Sequence, residues 1–354
     1  MAAEVVVVGG GLVGLCAALA LADRKLKVTL VAEHRPGEAS PAAAGMLAPS
    51  VERASGAAHD FAVAARDRYP SYLHSLAERT GTSVPLNRLG ILQVAIDQRG
   101  VKGLKKTAAA TSKWLDAKEL HDLEPALSHA VGAMLNPDDG AVDNAMLVTA
   151  LERAVSGDKH IDRIDDAVVQ VSMTERGGCS VDTRSNGIFR AAHVVVATGA
   201  WTAAIESLRF GRAVSPVRGQ LVSYPTKPLR HVAYGPRGYV VPRGENTIGG
   251  STMENVGFDA RTTDAGIRKV RGAAEEICPS LAQRRPTAWA GLRPVTPDML
   301  PLIGPDPEQP EVIYACGHSR NGVLMAPLTG DIIADLVTGT PLSHDLSQFR
   351  PDRF

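Results

Sequence analysis

The chain has 354 residues, and 38 Lys and Arg balance 38 Asp and Glu, leaving no formal net charge with His neutral. That length allows two domains and a large core, while the neutrality argues against nucleic acid, whose phosphates call for a basic face. The four cysteines (Cys16, Cys179, Cys278 and Cys316) show no metal-ligand spacing and fit a reducing, cytoplasmic compartment.

In chain order, the first signal is the sharpest. Val5-Val6-Val7-Val8 reads as a buried strand, Gly9-x-Gly11-x-x-Gly14 as a tight turn opening a helix, and residues 28–32 as a second strand ending at Glu33. Gly9 permits the turn, Gly11 lets backbone approach a pyrophosphate, and Gly14 lets the helix pack on the strand. Leu12 and Val13 open that helix, where free N–H groups and the positive dipole end face phosphate. The Glu33 carboxylate suits an adenosine ribose, of FAD or of NAD. The uncharged run 5–22 approaches the length of a membrane span. However, Glu4 stands where a leader needs basic residues, and three consecutive glycines interrupt the run, so no membrane segment is expected.

Residues 41–49 are small and include Gly45, as suits backbone lying against something flat and bulky; an Ala-rich helix start fits equally well. Residues 60–79 carry a helical apolar stripe, with Pro70 expected to kink or end it. Residues 89–96 read as a strand and 102–127 as polar and partly helical. Asp143 can cap a helix over 144–155, and residues 167–171 and 179–183 read as paired strands. Residues 191–201 repeat the pattern of a buried strand followed by glycine, which brings Thr198, Gly199 and Trp201 toward the same crevice. Residues 219–253 alternate as antiparallel strands with a turn at 243–246, and a helix follows over 263–277. The chain then returns through 289–298, a strand over 312–315, the glycine loop 317–322 and an apolar helix over 326–337.

These motifs agree with one another. The glycine turn with Glu33, Ala42-Ala43-Ala44-Gly45-Met46-Leu47, the 194–201 run, Val217-Arg218-Gly219-Gln220, Tyr239-Val240-Val241-Pro242-Arg243, Trp289-Ala290-Gly291-Leu292-Arg293-Pro294 and Gly317-His318-Ser319-Arg320-Asn321-Gly322 follow one order over nearly the whole chain. The chain thereby resembles the flavin-dependent D-amino-acid oxidase family, and within it the glycine-oxidase branch associated with thiamine thiazole synthesis. The resemblance implies an α/β fold, with a Rossmann-like FAD-binding domain (residues 1–85, 138–218 and 288–354). Into it is inserted an α+β antiparallel-sheet substrate-binding domain (residues 86–137 and 219–287).

The resemblance further implies FAD on the glycine turn, with Ala43, Ala44, Gly45 and Met46 beside the isoalloxazine, Val168 against the adenine, and Gly199 and Trp201 near the pyrophosphate. Gly317, Arg320, Asn321, Gly322 and Val323 would approach the flavin pyrimidine edge, where a helix dipole stabilises the negative charge of the reduced ring. Arg293 matches the carboxylate-binding arginine, Tyr239 the tyrosine beside that carboxylate, and Arg320 a second arginine that touches substrate or braces its loop. Met46 and Met253 are expected in the pocket wall, with a plain core role open for Met253; His318 is expected to be structural.

The implied chemistry is oxidative deamination of glycine or a small amine. Hydride leaves the α-carbon for flavin, the imine hydrolyses to a 2-oxo acid and ammonia, and dioxygen becomes hydrogen peroxide. Gly291 stands where sarcosine oxidases tether FAD through cysteine, so the flavin is expected to be non-covalent. The terminal Pro351-Asp352-Arg353-Phe354 lacks the peroxisomal tripeptide of eukaryotic relatives, and a cytoplasmic location is expected. A homo-oligomer is also expected. Open alternatives are an oxidase or dehydrogenase of D-amino acids, sarcosine or proline-like amines, a nicotinamide enzyme, and a flavin-binding module without catalysis.

Overall fold

The structure is a computed structural model and describes residues 3–52 and 54–354. Val5–Val8 lies between Val28–Ala32 and His193–Val196 and runs parallel to both. Four consecutive β-branched residues suit a strand covered on both faces. Val5 and Val7 enter a core with the helices Leu12–Asp23, Ala57–Thr80, Asn144–Ser156 and Gly322–Thr338. Val6 and Val8 enter a second core with the three-stranded sheet Val168–Met173, Cys179–Thr183 and Ile188–Ala191. The six-stranded order is Leu302–Pro305, Val312–Cys316, His193–Val196, Val5–Val8, Val28–Ala32 and Ile161–Asp165, antiparallel only at the first pair.

The eight-stranded second sheet runs Thr287–Val295, Ser215–Tyr224, Asn246–Gly250, Tyr239–Arg243, Val232–Tyr234, Ile91–Ala95, Gly132–Asn136 and Lys113–Asp116. Neighbours are antiparallel except Val232–Tyr234 with Ile91–Ala95. Helix Asp264–Ile277 covers one face through Val270, Ala274 and Ile277, and its first turn is capped by the Thr263 hydroxyl accepting from Gly266 N. Among the described residues, no helix is long and apolar enough to cross a membrane, and no cluster of His, Cys, Asp or Glu is set up to hold a metal.

Three local expectations change. Helix Ala57–Thr80 passes through Pro70 without a break. The Pro70 ring sits on the exposed side, while Phe61, Ala65, Tyr69 and Leu73 are buried, so packing offsets the lost backbone bond. The final helix starts at Gly322, four residues earlier than its apolar run suggests. Residues 289–295, for which the sequence suggests no element, belong to a strand: Thr287–Val295 pairs with Ser215–Tyr224 from Thr287↔Ser223 to Val295↔Ser215. The expected boundaries at 218/219 and 287/288 therefore fall inside paired strands. Pro294 opposes Pro216 on the outermost strand pair, where a missing N–H is tolerated.

Candidate active site

A cavity of about 470 Å³ runs along the carboxyl ends of the parallel strands and reaches under the second sheet. This is the usual position of a ligand crevice in an open α/β sheet. Its floor at one end is backbone. Gly9 adopts φ +112°, and a Cβ there would fall 2.3 Å from the Ala197 carbonyl oxygen. Gly9, Gly11, Leu12 and Val13 line the cavity, and Leu12 N donates to Ser40 Oγ at 2.9 Å. Gly14 does not line it. It lies beneath the turn, where a Cβ would fall 1.8 Å from the Gly9 carbonyl oxygen, so its role is packing.

Glu33, Val168, Thr198, Gly199 and Trp201 also line this end. Arg184 Nη1 donates to Glu33 Oε1 at 2.7 Å and Arg35 Nε to Oε2 at 2.7 Å. Hydrogen bonding from Arg184, opposed by desolvation and joined by Arg35, holds the Glu33 carboxyl below its ordinary value. The Arg35 guanidinium lies 5.6 Å over the Trp201 ring, which stacks on Phe258 at 6.1 Å.

Midway, Ala43, Ala44, Gly45 and Met46 form one wall. Gly45 is required by its φ of +84° and by Val142, whose carbonyl oxygen would lie 2.0 Å from a Cβ. Arg243 braces this wall by donating to Asn144 Oδ1 at 2.7 Å and to the Ala43 carbonyl at 3.3 Å. The facing wall is the 317–323 segment, including Gly317, Arg320, Asn321, Gly322 and Val323. Tyr69 OH donates to the Val323 carbonyl beneath it. Burial pushes the His318 imidazole down to about 3, and its Nε2 lies 3.2 Å from Thr329 Oγ1, so it is a neutral packing group.

At the far end, Arg293 projects from the outermost strand of the second sheet. Its Nη2 donates to Ser251 Oγ at 2.6 Å and its Nη1 to the Thr252 carbonyl at 3.1 Å. The guanidinium fills the space a side chain on Gly219 would take: a Cβ there would meet Nη1 at 2.0 Å. Gly250 does the same for Tyr239, whose hydroxyl would lie 2.4 Å from a Cβ. Burial pulls the Arg293 pKa down and Tyr239 pulls it back; arginine starts so high that it stays cationic. Arg320 Nη2 donates to Glu52 Oε1 at 2.8 Å and to Tyr234 OH at 2.7 Å.

Met253 is not in the wall. It is 49 % exposed, next to Thr252 at 2 %, and alternation along the extended chain puts its side chain on the solvent face. Ser40, Ser251 and Glu52 line the cavity without having been expected. Ser251 follows the Gly249-Gly250 pair, a hint of close packing, whereas Glu52 sits in the short helix Pro49–Glu52, which carries no motif.

Residues 4–336 match the DAO family, described as FAD dependent oxidoreductase. The chain belongs to that family. The cavity suits the family's cofactor: side-chain-free turns at Gly9 and Gly11, and the amino ends of two helices, Leu12–Asp23 and Gly322–Thr338, border one continuous space. FAD is the cofactor of this oxidoreductase. The chain is 34% identical over 364 residues to the bifunctional protein ThiO/ThiG of Synechocystis sp., covering 99% of this chain and 54% of that one. It thus spans about half the length of such relatives. Glycine oxidase of Geobacillus kaustophilus is 32% identical, covering 98% of this chain and 96% of its own. The crystal structure of that enzyme aligns with a TM-score of 0.91 at 31% identity over 99% of both chains.

Proposed function

We propose that this oxidoreductase oxidises glycine, or a similarly small amine bearing a carboxylate, to an imine that gives a 2-oxo acid and ammonia, with dioxygen reduced to hydrogen peroxide. One observation carries the reading. Arg293 and Tyr239 each occupy a niche left by a glycine and face the same cavity that ends at the glycine turn. Bound FAD supplies the two-electron acceptor.

The chain's own residues bind and orient. With one N–H of each Nη committed to Ser251 and Thr252, Arg293 keeps further N–H groups for a planar pair with a carboxylate. The Tyr239 hydroxyl adds a donor on the same side. Holding the carboxylate rigidly restricts where the adjacent α-carbon points, which is the entropic part of the catalysis. His318 is buried, neutral and bonded to Thr329, so it is not a base in this reading, in which the substrate binds as the neutral amine. Cys316 is the one thiol lining the cavity among the described residues, and burial pushes it up to about 12. A protonated thiol is a poor nucleophile, so the proposal includes FAD held without a covalent bond. It also includes a cytoplasmic homo-oligomer, checked by light scattering.

The absorption spectrum of the purified protein and a peroxide assay over glycine, sarcosine and D-amino acids test this reading. Flavin bands released by acid, with peroxide formed from at least one small substrate, support it. A colourless protein, or reduction of a dye without peroxide, overturns it.

A further inference from the structure

We propose that Glu52 restricts the substrate to amines carrying a single carboxylate, by neutralising the second arginine of the site. The inference rests on the oxidase reading above and deepens it.

The substrate end of the cavity holds three charged side chains among the described residues: Arg293, Arg320 and Glu52. His318 lines the same space but is neutral. The two arginines are not equivalent. Arg293 donates to uncharged oxygens, the Ser251 hydroxyl and the Thr252 carbonyl, and it feels Glu52 only as a through-space charge rather than as a hydrogen-bonded ion pair. Arg320 is ion-paired to Glu52 at 2.8 Å. The sum is one free positive charge, enough for one carboxylate.

Glu52 is close enough to act on a guest. Both arginines act on its carboxyl electrostatically, while burial pushes that carboxyl up from its ordinary value. A second carboxylate entering beside Arg320 would meet the Glu52 oxygens. Like charges brought together out of water repel strongly. Without the Glu52 charge, Arg320 becomes a second anion anchor, and the site would then suit an amine bearing two carboxylates.

The fold holds Glu52 in place. Its short helix Pro49–Glu52 is tied down by Ser50, whose N and Oγ each donate to Asp139 at 3.1 Å. Asp139 is fully buried and also accepts from Arg66 Nη1 at 3.3 Å. The Glu52 side chain keeps only 17 % of its surface exposed. A carboxylate fixed in this way discriminates because it cannot swing aside.

The test uses the flavin-loaded protein and two unreactive anions that differ by one carboxymethyl group, glycolate with one carboxylate and diglycolate with two. Each is titrated against the flavin absorption band. Turnover of sarcosine and iminodiacetate, which share a secondary amine and differ by one carboxylate, is measured in parallel. Wild type should bind glycolate more tightly than diglycolate. Glu52→Gln should shift that ratio toward diglycolate by about tenfold or more, and turnover should shift toward iminodiacetate. Glu52→Asp keeps the charge and should keep the preference. An unchanged ratio in Glu52→Gln overturns the proposal. So does a wild type that takes both anions equally, an arm that needs no variant to fold. If wild type oxidises no amine and glycolate leaves the band unmoved, the oxidase reading itself has failed. If it oxidises sarcosine but the ratio ignores Glu52, only the one-carboxylate limit has failed.

Discussion

The two sheets meet at one cavity and build their halves of it in opposite ways. The six-stranded sheet contributes backbone: Gly9, Gly11 and the amides that open Leu12–Asp23, all from one short run of chain. The eight-stranded sheet contributes side chains. Arg293 and Tyr239 come from the separate strands Thr287–Val295 and Tyr239–Arg243. Arg320 reaches the same end from the loop before Gly322–Thr338, and Glu52 from the short helix Pro49–Glu52. Glycine serves both halves differently. Gly9 and Gly14 let backbone touch backbone, whereas Gly219 and Gly250 make room for a guanidinium and a phenol. A site made of backbone depends on local spacing; a site made of side chains depends on which strands are neighbours.

That contrast can be broken one half at a time. The largest effect is expected for Gly14→Ala. The new Cβ would lie 1.8 Å from a backbone oxygen, and neither partner can move without opening the turn. The purified variant should carry no flavin, read from its absorption spectrum; full flavin content would show that the turn tolerates separation. Next is Arg293→Ala, which removes two charged hydrogen bonds to the substrate. KM should rise on the order of 10²–10³-fold while flavin content stays at the wild-type level. Flavin loss instead would move Arg293 from the substrate half to the scaffold.

Gly219→Ala sharpens the comparison, because it perturbs Arg293 without touching its charge. A Cβ 2.0 Å from Nη1 must displace the guanidinium, but the tip of a long side chain can shift. KM should rise about tenfold with a small change in Tm. A KM equal to wild type would mean that the niche is incidental.

The smallest effect concerns His318, in the loop where the halves meet. Burial lowers its pKa to about 3 from an ordinary 6.5. Between those values the unfolded chain binds a proton that the folded chain refuses, so stability rises with pH across that window and falls on acidification. His318→Gln should flatten the decline in Tm between about pH 7 and about pH 5. An identical slope would mean that other groups set it.

How much could be read in advance follows the same division. The glycine turn, the Val5–Val8 strand and the Asp143 cap are each set by residues within a few positions of one another, and each lies where the sequence places it. Arg293 and Tyr239 drew attention only through family likeness. Their hydrogen-bond partners and the glycines that seat them are fixed by cross-strand register, which no local pattern carries. Met253 was misjudged because one residue of alternation decides between cavity and solvent. Pro70 misled because propensity in an exposed position yields to packing on the buried face of the same helix. Glu52 was invisible: its meaning comes wholly from Arg320, 268 positions away in the chain.

Of the three tryptophans, Trp201 alone lines the cavity; Trp114 lies under Lys105, and Trp289 is tied to the Ala42 carbonyl. An indole in the wall changes its ultraviolet emission according to what sits beside it. The protein therefore carries an optical gauge of its own, with no dye to attach, by which filling and emptying of the crevice can be timed.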